Sequence, residues 1–336
     1  MLERRVLQLP GWCLRRLAGG PPIAIGGRIL DPAVQLVQAA AAHGPHLASL
    51  PVPRARAAAD RGMARLAGPR RRLRVEDSSL PGPGGAIPVR LYRPQHAAMP
   101  APLLLWFHPG GFVLGNLEWC DALCRVLSDT ARCLVLSVDY RRAPEHRFPA
   151  QVEDARAVWL WAEKRADEVG GDPARLALGG ESAGGTLALA IAREARRAGG
   201  RRPVFQLLVY PWLLGRADTP SYAAFANTHP LDARLLDWFR THALERPEDV
   251  EHPLLNPGRE PDVSGLPPTY LATAGFDMLC DEGRLYADRL RSAGVPTRYR
   301  CFESLPHTFA AMGAIPAAAR AQREIAEALR GGLARA

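Results

Sequence analysis

The sequence predicts an α/β fold, a mostly parallel β-sheet with helices on both faces. From about Leu73 onward, short apolar runs alternate with segments of helical periodicity, the pattern of strands joined by crossover helices. The apolar runs are continuous rather than alternating, as strands covered on both faces require. Into this pattern falls Gly180-Glu181-Ser182-Ala183-Gly184, between a strand-like and a helix-like stretch. A sharp strand–turn–helix holds a serine strained and exposed, and small flanking glycines let such a turn close.

Residues 1 to about 70 read as helical and loop-like, with the run Ala39-Ala40-Ala41-Ala42. Pro81-Gly82-Pro83-Gly84-Gly85 is a hairpin turn, and Ile87 to Tyr92 alternates as an early, partly exposed strand does. Leu103 to Phe107, Cys133 to Val138, Arg175 to Leu178, Phe205 to Tyr210 and Tyr270 to Ala274 are the buried strands, and Thr297 to Phe302 is the last strand candidate. Helical stretches lie between them. Val152 to Ala166 carries Val158, Leu160 and Trp161 near helical spacing, and Gly283 to Ala293 carries Leu285, Ala287 and Leu290. A helical insert, Leu231 to Leu244, interrupts the alternation. The expected organisation is a cap segment over 1–70, core over 71–212, a cap insert over 213–246 and core again over 247–336.

A chain of 336 residues that is 47% hydrophobic can bury a sizeable core, so global disorder is not expected. The net charge of +9 is carried almost wholly by arginine, Lys164 being the lone lysine. The arginines are scattered, and Arg70-Arg71-Arg72 has no interleaved aromatics. No basic stripe or nucleic-acid-binding module is present, so no nucleic-acid partner is expected. Cys13, Cys120, Cys124, Cys133, Cys280 and Cys301 form no C-x-x-C pair or zinc spacing, and are expected to be reduced core thiols in a cytoplasmic protein. No apolar run is long enough to span a bilayer. Met1 to Ala18 mixes apolar residues with Arg4, Arg5, Arg15 and Arg16, and Pro10-Gly11 breaks it, unlike a signal peptide. It reads either as part of a lid or as an interfacial anchor peripheral to a membrane, rich in Arg, Leu and Trp12.

A serine hydroxyl needs a general base, and the base an orienting carboxylate. In the strand–turn–helix arrangement the chain order is serine, acid, histidine. Only His229, His242, His252 and His307 follow Ser182. The first two lie in the insert and His252 just after it. His307 follows the last strand candidate and is the base of choice. Asp277 ends the strand Tyr270 to Phe276 and is the acid of choice. Asp281 and Glu282 open a helix, where carboxylates commonly answer the helix dipole. Cys280 has no paired base and reads as packing. Attack on an ester carbonyl also needs backbone N–H groups aimed at the oxyanion. Gly110 and Gly111, in the loop after Leu103 to Phe107, and Ala183, after the serine, are the donors expected. His108 organises that loop; chain order rules it out as the base.

These motifs resemble bacterial esterases of the hormone-sensitive-lipase-like family (family IV), an α/β-hydrolase group. The resemblance rests on His108-Pro109-Gly110-Gly111-Phe112, Tyr140 to Ala150, Gly180 to Gly185, Tyr210-Pro211, Asp277 to Gly283 and His307-Thr308-Phe309. It implies an eight-stranded α/β-hydrolase sheet and a helical cap built from the N-terminal helices plus the insert. Four positions depart from the family pattern: Pro109 for glycine, Glu181 for aspartate, Met278 for proline and Thr308 for glycine. Pro109 has no N–H, but the family's donors are the next two glycines. The longer Glu181 extends the carboxylate's reach, Met278 loosens the acid loop, and Thr308 crowds the histidine.

The resulting expectation is a serine carboxylesterase acting on small-molecule esters of short to medium acyl length, with no cofactor and no metal. Phe112 and Trp212 are the expected substrate-pocket residues, and a homodimer is among the expected assemblies. The alternatives are a non-catalytic small-molecule-binding protein on a hydrolase scaffold and a membrane-associated lipase.

Overall fold

The computed structural model describes residues 4–216 and 218–335; the first three residues of the N-terminal segment lie outside it. A two-stranded ribbon, β1 (Ala24–Ile25) and β2 (Arg28–Ile29), precedes the main sheet. That sheet comprises β3 (Arg74–Gly82), β4 (Gly85–Arg93), β5 (Ala101–Phe107), β6 (Leu134–Val138), β7 (Gly171–Glu181), β8 (Phe205–Val209), β9 (Thr269–Phe276) and β10 (Thr297–Pro306). Its order is β10-β9-β8-β7-β5-β6-β4-β3. The strands from β6 to β10 run parallel, and β4 is antiparallel to both β3 and β6. Every residue of β5, β6, β8 and β9 is buried, which is why these strands read as unbroken apolar runs. The edge hairpin β3–β4 is half exposed and alternates instead.

The helices are α1 (Gly11–Ala18), α2 (Pro32–Ala41), α3 (Val52–Leu66), α4 (Leu117–Ala131), α5 (Ala150–Arg165), α6 (Ala183–Ala198), α7 (Pro220–Ala224), α8 (Ala233–Ala243), α9 (Cys280–Ser292) and α10 (Pro316–Leu333). α4 packs on α10, and α5 on α6. In α5 and in α9 one leucine faces water rather than the core. Leu160 of α5 is exposed while Ala155, Val158, Trp159 and Ala162 are buried. Leu285 of α9 is exposed while Tyr286, Ala287 and Leu290 are buried. In each helix the i, i+3, i+4 stripe runs through other residues and leaves this leucine on the far side.

Parallel strands deliver their C-terminal ends to one edge of the sheet. β5 ends at Phe107, β7 at Glu181, β9 at Phe276 and β10 at Pro306. The next residues are His108, Ser182, Asp277 and His307. Register decides how the last two meet. Phe302 pairs with Ala274, yet Pro306 pairs with Phe276. Four residues of β10 therefore advance against two of β9, a bulge that sets His307 level with Asp277. Gly275 makes room for it, because a Cβ there would collide with the Glu303 backbone.

Replacing Gly275 by alanine is therefore expected to destabilise the fold by about 1–3 kcal/mol through overpacking. Urea unfolding of the variant beside the parent chain measures this.

Candidate active site

Ser182 sits between β7 and α6 with φ 52° and ψ −120°, a region that costs a non-glycine residue strain. Its neighbours explain why the strain is held. A Cβ on Gly180 would collide with Gly184, and one on Gly184 with the Phe107 carbonyl. The elbow closes against β5 only because both are glycine. A serine at a helix start ordinarily turns its oxygen onto the N–H groups of the first turn. Ser182 makes no such bond, and its Oγ lies 2.9 Å from His307 Nε2. His307 Nδ1 lies 2.6 Å from Asp277 Oδ2. Asp277 Oδ1 also accepts from the Leu279 N–H at 3.0 Å. All three side chains are buried. With a carboxylate at Asp277 accepting from Nδ1–H, Nε2 is left free to accept the serine proton.

The loop after β5 turns through φ 120° at Gly110, 59° at Gly111 and 65° at Phe112. A Cβ on Gly110 would collide with the Leu114 carbonyl, and one on Gly111 with the Phe239 ring. The N–H groups of Gly110, Gly111 and Ala183 donate to no acceptor among the described residues. His108 is fully buried beneath this loop. It stacks on Tyr140 with centroids 4.1 Å apart, and its Nδ1 lies 2.8 Å from the Pro109 carbonyl. Tyr140 donates to the His108 carbonyl at 2.7 Å.

Ser182, His307, Gly110 and Gly111 open into a cavity of about 620 Å³. Its wall is chiefly apolar: Leu7, Val37, Leu47 and Leu66 from the N-terminal helices, Leu231, Leu235 and Phe239 around α8, and Leu114 and Trp119 from the core. The expectation for Phe112 and Trp212 is corrected here. Neither lines the cavity; both are buried behind it, with ring centroids 6.0 Å apart. Trp212 is fixed by its N–H donating to the Ser182 carbonyl at 3.1 Å and its indole N–H to the Leu214 carbonyl at 2.7 Å. Phe239 sits on the buried stripe of α8, and helical periodicity alone does not tell whether such a stripe faces a cavity or the core.

The sequence profile of the alpha/beta hydrolase fold family matches residues 104–311. The carboxylic ester hydrolase LipN of Mycobacterium tuberculosis is 42% identical over 317 residues, 90% of this chain and 82% of that one. The esterase LipI of the same organism is 42% identical over 264 residues, 77% of this chain and 82% of LipI. An esterase from Pyrobaculum calidifontis superposes with a TM-score of 0.82 at 35% identity, covering 90% of this chain and 98% of that one. The chain belongs to the hormone-sensitive-lipase-like carboxylic ester hydrolases of the α/β-hydrolase family.

Within that family pattern, each of the four departures has a structural counterpart. The Pro109 carbonyl faces the His108 ring and its missing N–H is not called on. The Glu181 carboxylate reaches under the elbow, where Tyr210 donates its hydroxyl and Cys120 its thiol. Burial raises this carboxyl above its ordinary range, against those hydrogen bonds. Tyr210 in turn packs on His307 with centroids 4.7 Å apart, a support that the bare Tyr210-Pro211 motif did not announce. Met278, expected to loosen the acid loop, is fully buried, and its carbonyl accepts from the Ser221 hydroxyl at 2.7 Å. Ser221 Oγ also accepts from the Asp281 N–H at 3.1 Å, so α7 ties the loop down. Thr308 holds φ 61° beside an unbroken His307–Ser182 contact.

The cysteines are all free; Cys13 and Cys301 are partly exposed rather than core. The Cys280 and Cys301 sulfurs lie 3.8 Å apart.

Glu282 is the buried carboxyl that sequence reasoning assigned only to a helix start. Its Oε1 accepts from the Leu213 N–H at 2.7 Å, while Oε2 has no partner. Burial, with the nearby Asp277 charge, pushes its carboxyl well above the usual range. The folded state therefore keeps the proton that the unfolded chain gives up, and stability drains as pH rises from about 4.5. Glu282→Gln mimics the protonated acid. It is expected to gain at least about 1 kcal/mol over the parent near pH 8 and nothing near pH 4, read by urea unfolding at both.

Proposed function

We propose that this chain is a serine carboxylesterase that hydrolyses short- to medium-chain acyl esters of small molecules through Ser182, His307 and Asp277. The observation that carries the reading is the continuous hydrogen-bond relay from Asp277 Oδ2 through both His307 nitrogens to Ser182 Oγ, at 2.6 and 2.9 Å. It opens into an apolar cavity beside three unengaged backbone N–H groups. Residues 1–70 and 213–246 act as the cap over the core segments 71–212 and 247–336.

In this reading Ser182 Oγ attacks the ester carbonyl carbon as His307 Nε2 takes its proton. Asp277 holds the imidazole in the needed tautomer and stabilises the imidazolium. The carbonyl oxygen becomes an oxyanion and collects hydrogen bonds from Gly110, Gly111 and Ala183. Collapse breaks the bond to the alcohol, which leaves with the proton from His307. Water then attacks the acyl-Ser182 ester, again giving its proton to His307, and collapse breaks the bond to Ser182 Oγ, which takes that proton back as the acid departs. The N–H donors cost no reorganisation, because Gly110 and Gly111 are already turned and Ala183 is fixed as the first residue of α6. The cavity volume and its apolar wall support short to medium acyl groups over bulky polar ones.

The test is hydrolysis of p-nitrophenyl esters across acyl lengths. Ser182→Ala is expected to abolish turnover at every length. Asp277→Asn is expected to lower kcat by about 10⁴-fold, by analogy with serine proteases. Turnover that survives Ser182→Ala would sink the triad.

A further inference from the structure

Among the described residues eight large apolar side chains are left exposed, and five of them, Leu9, Trp12, Leu17, Ile23 and Ile29, fall within 21 residues of chain. Trp12 is 68% exposed and Leu17 58%. Exposed apolar residues scattered singly need no explanation; five in so short a segment call for one. The same stretch is one-sided in charge. From Arg4 to Leu30 it holds Arg4, Arg5, Arg15, Arg16 and Arg28 and no acidic residue. Arg28 is occupied, donating to the Gly275 carbonyl at 2.8 Å. The other four enter no ion pair among the described residues. Arg15 and Arg16 lie in the last turn of α1, and Leu14 on its other side is buried.

We propose that residues 4–30 form a docking face for an anionic lipid bilayer surface. Indole and leucine side chains enter the headgroup–acyl boundary, and arginines answer the lipid phosphates. A second copy of the chain fits worse, because it would press two arginine-rich, acid-free faces together. Docking is peripheral: among the described residues no helix is long and apolar enough to cross a membrane.

The face is fastened to the edge of the sheet that carries the serine and histidine. Gln8 donates to the Ala314 carbonyl at 2.9 Å, and the Asp31 N–H to the Ser304 carbonyl at 2.9 Å. Leu7, within the same stretch, lines the cavity. Docking therefore sets the cavity wall against the lipid, from which an apolar ester can pass to Ser182. The docking itself does not depend on the catalytic reading, since its readout is binding.

The experiment is co-sedimentation of the full chain with vesicles of phosphatidylcholine alone, or with about one-third phosphatidylglycerol. Wild type is expected to bind the anionic vesicles at least about tenfold more tightly than the neutral ones, and to release in about 0.5 M salt. Trp12→Glu/Leu17→Glu is expected to bind at least about tenfold more weakly, with unfolding midpoint and soluble-ester hydrolysis unchanged. Equal binding by variant and wild type overturns the proposal, as does absence of wild-type binding to anionic vesicles. So does a wild-type dimer in sedimentation equilibrium that the variant dissolves, if neither form binds vesicles.

Discussion

The site depends on one close approach: α6 begins against the end of β5 with nothing between the backbones. Gly180 and Gly184 permit it, since a side chain on Gly184 would strike the Phe107 carbonyl. That contact holds Ser182 at φ 52°, which is uncommon for a residue other than glycine. A strained backbone persists only where its surroundings over-determine it. Here they are a fully buried central strand, a long helix and the Ser182 carbonyl accepting from the Trp212 N–H at 3.1 Å. The strain keeps the hydroxyl off the N–H groups of its own helix and on His307.

Around that elbow the molecule carries several carboxyls in places that penalise charge. Asp277, Glu181 and Glu282 are all buried. Asp277 has His307 and a backbone N–H to receive it. Glu181 has a phenol and a thiol, and Glu282 one N–H with one oxygen bare. Buried polar atoms need partners, so the three differ in what they can be. The Glu181–Tyr210 pair packs beneath the histidine, and burial with one oxygen unpaired pushes the Glu282 carboxyl up.

The wall of the cavity is chiefly apolar surface, while Arg56 of α3 ties that helix to Glu145 and the Val113 carbonyl. Phe239 of α8 closes over Gly111, and the N-terminal helices wall the far side. The first thirty residues then show two characters at once. Leu7 and Leu14 are buried inward, while Leu9, Trp12 and Leu17 stay in water. Helix α1 thus has one residue, Leu14, in the core and leaves Trp12 and Leu17 exposed beside Arg15 and Arg16.

Much of this was legible in the chain. Continuous apolar runs marked buried strands, because a strand covered on both faces has no polar positions to alternate. Chain order singled out Ser182, Asp277 and His307, and glycine pairs marked the turns. Periodicity does not say which side of a helix faces the core: Leu160 and Leu285 fit helical spacing and are nonetheless exposed. Nor does it separate a buried aromatic from a cavity-lining one: Phe112 and Trp212 lie buried behind the cavity, while Phe239 lines it. Burial is common to both, and only the opposing surface distinguishes them. The sequence by itself determined the residue types, their order and the glycines without which no elbow closes. The tertiary structure alone decided the alignment. Four residues of β10 pass two of β9 before Pro306 comes level with Phe276, and His307 meets Asp277 because the backbone of Glu303 bulges over a glycine that has no side chain to stop it.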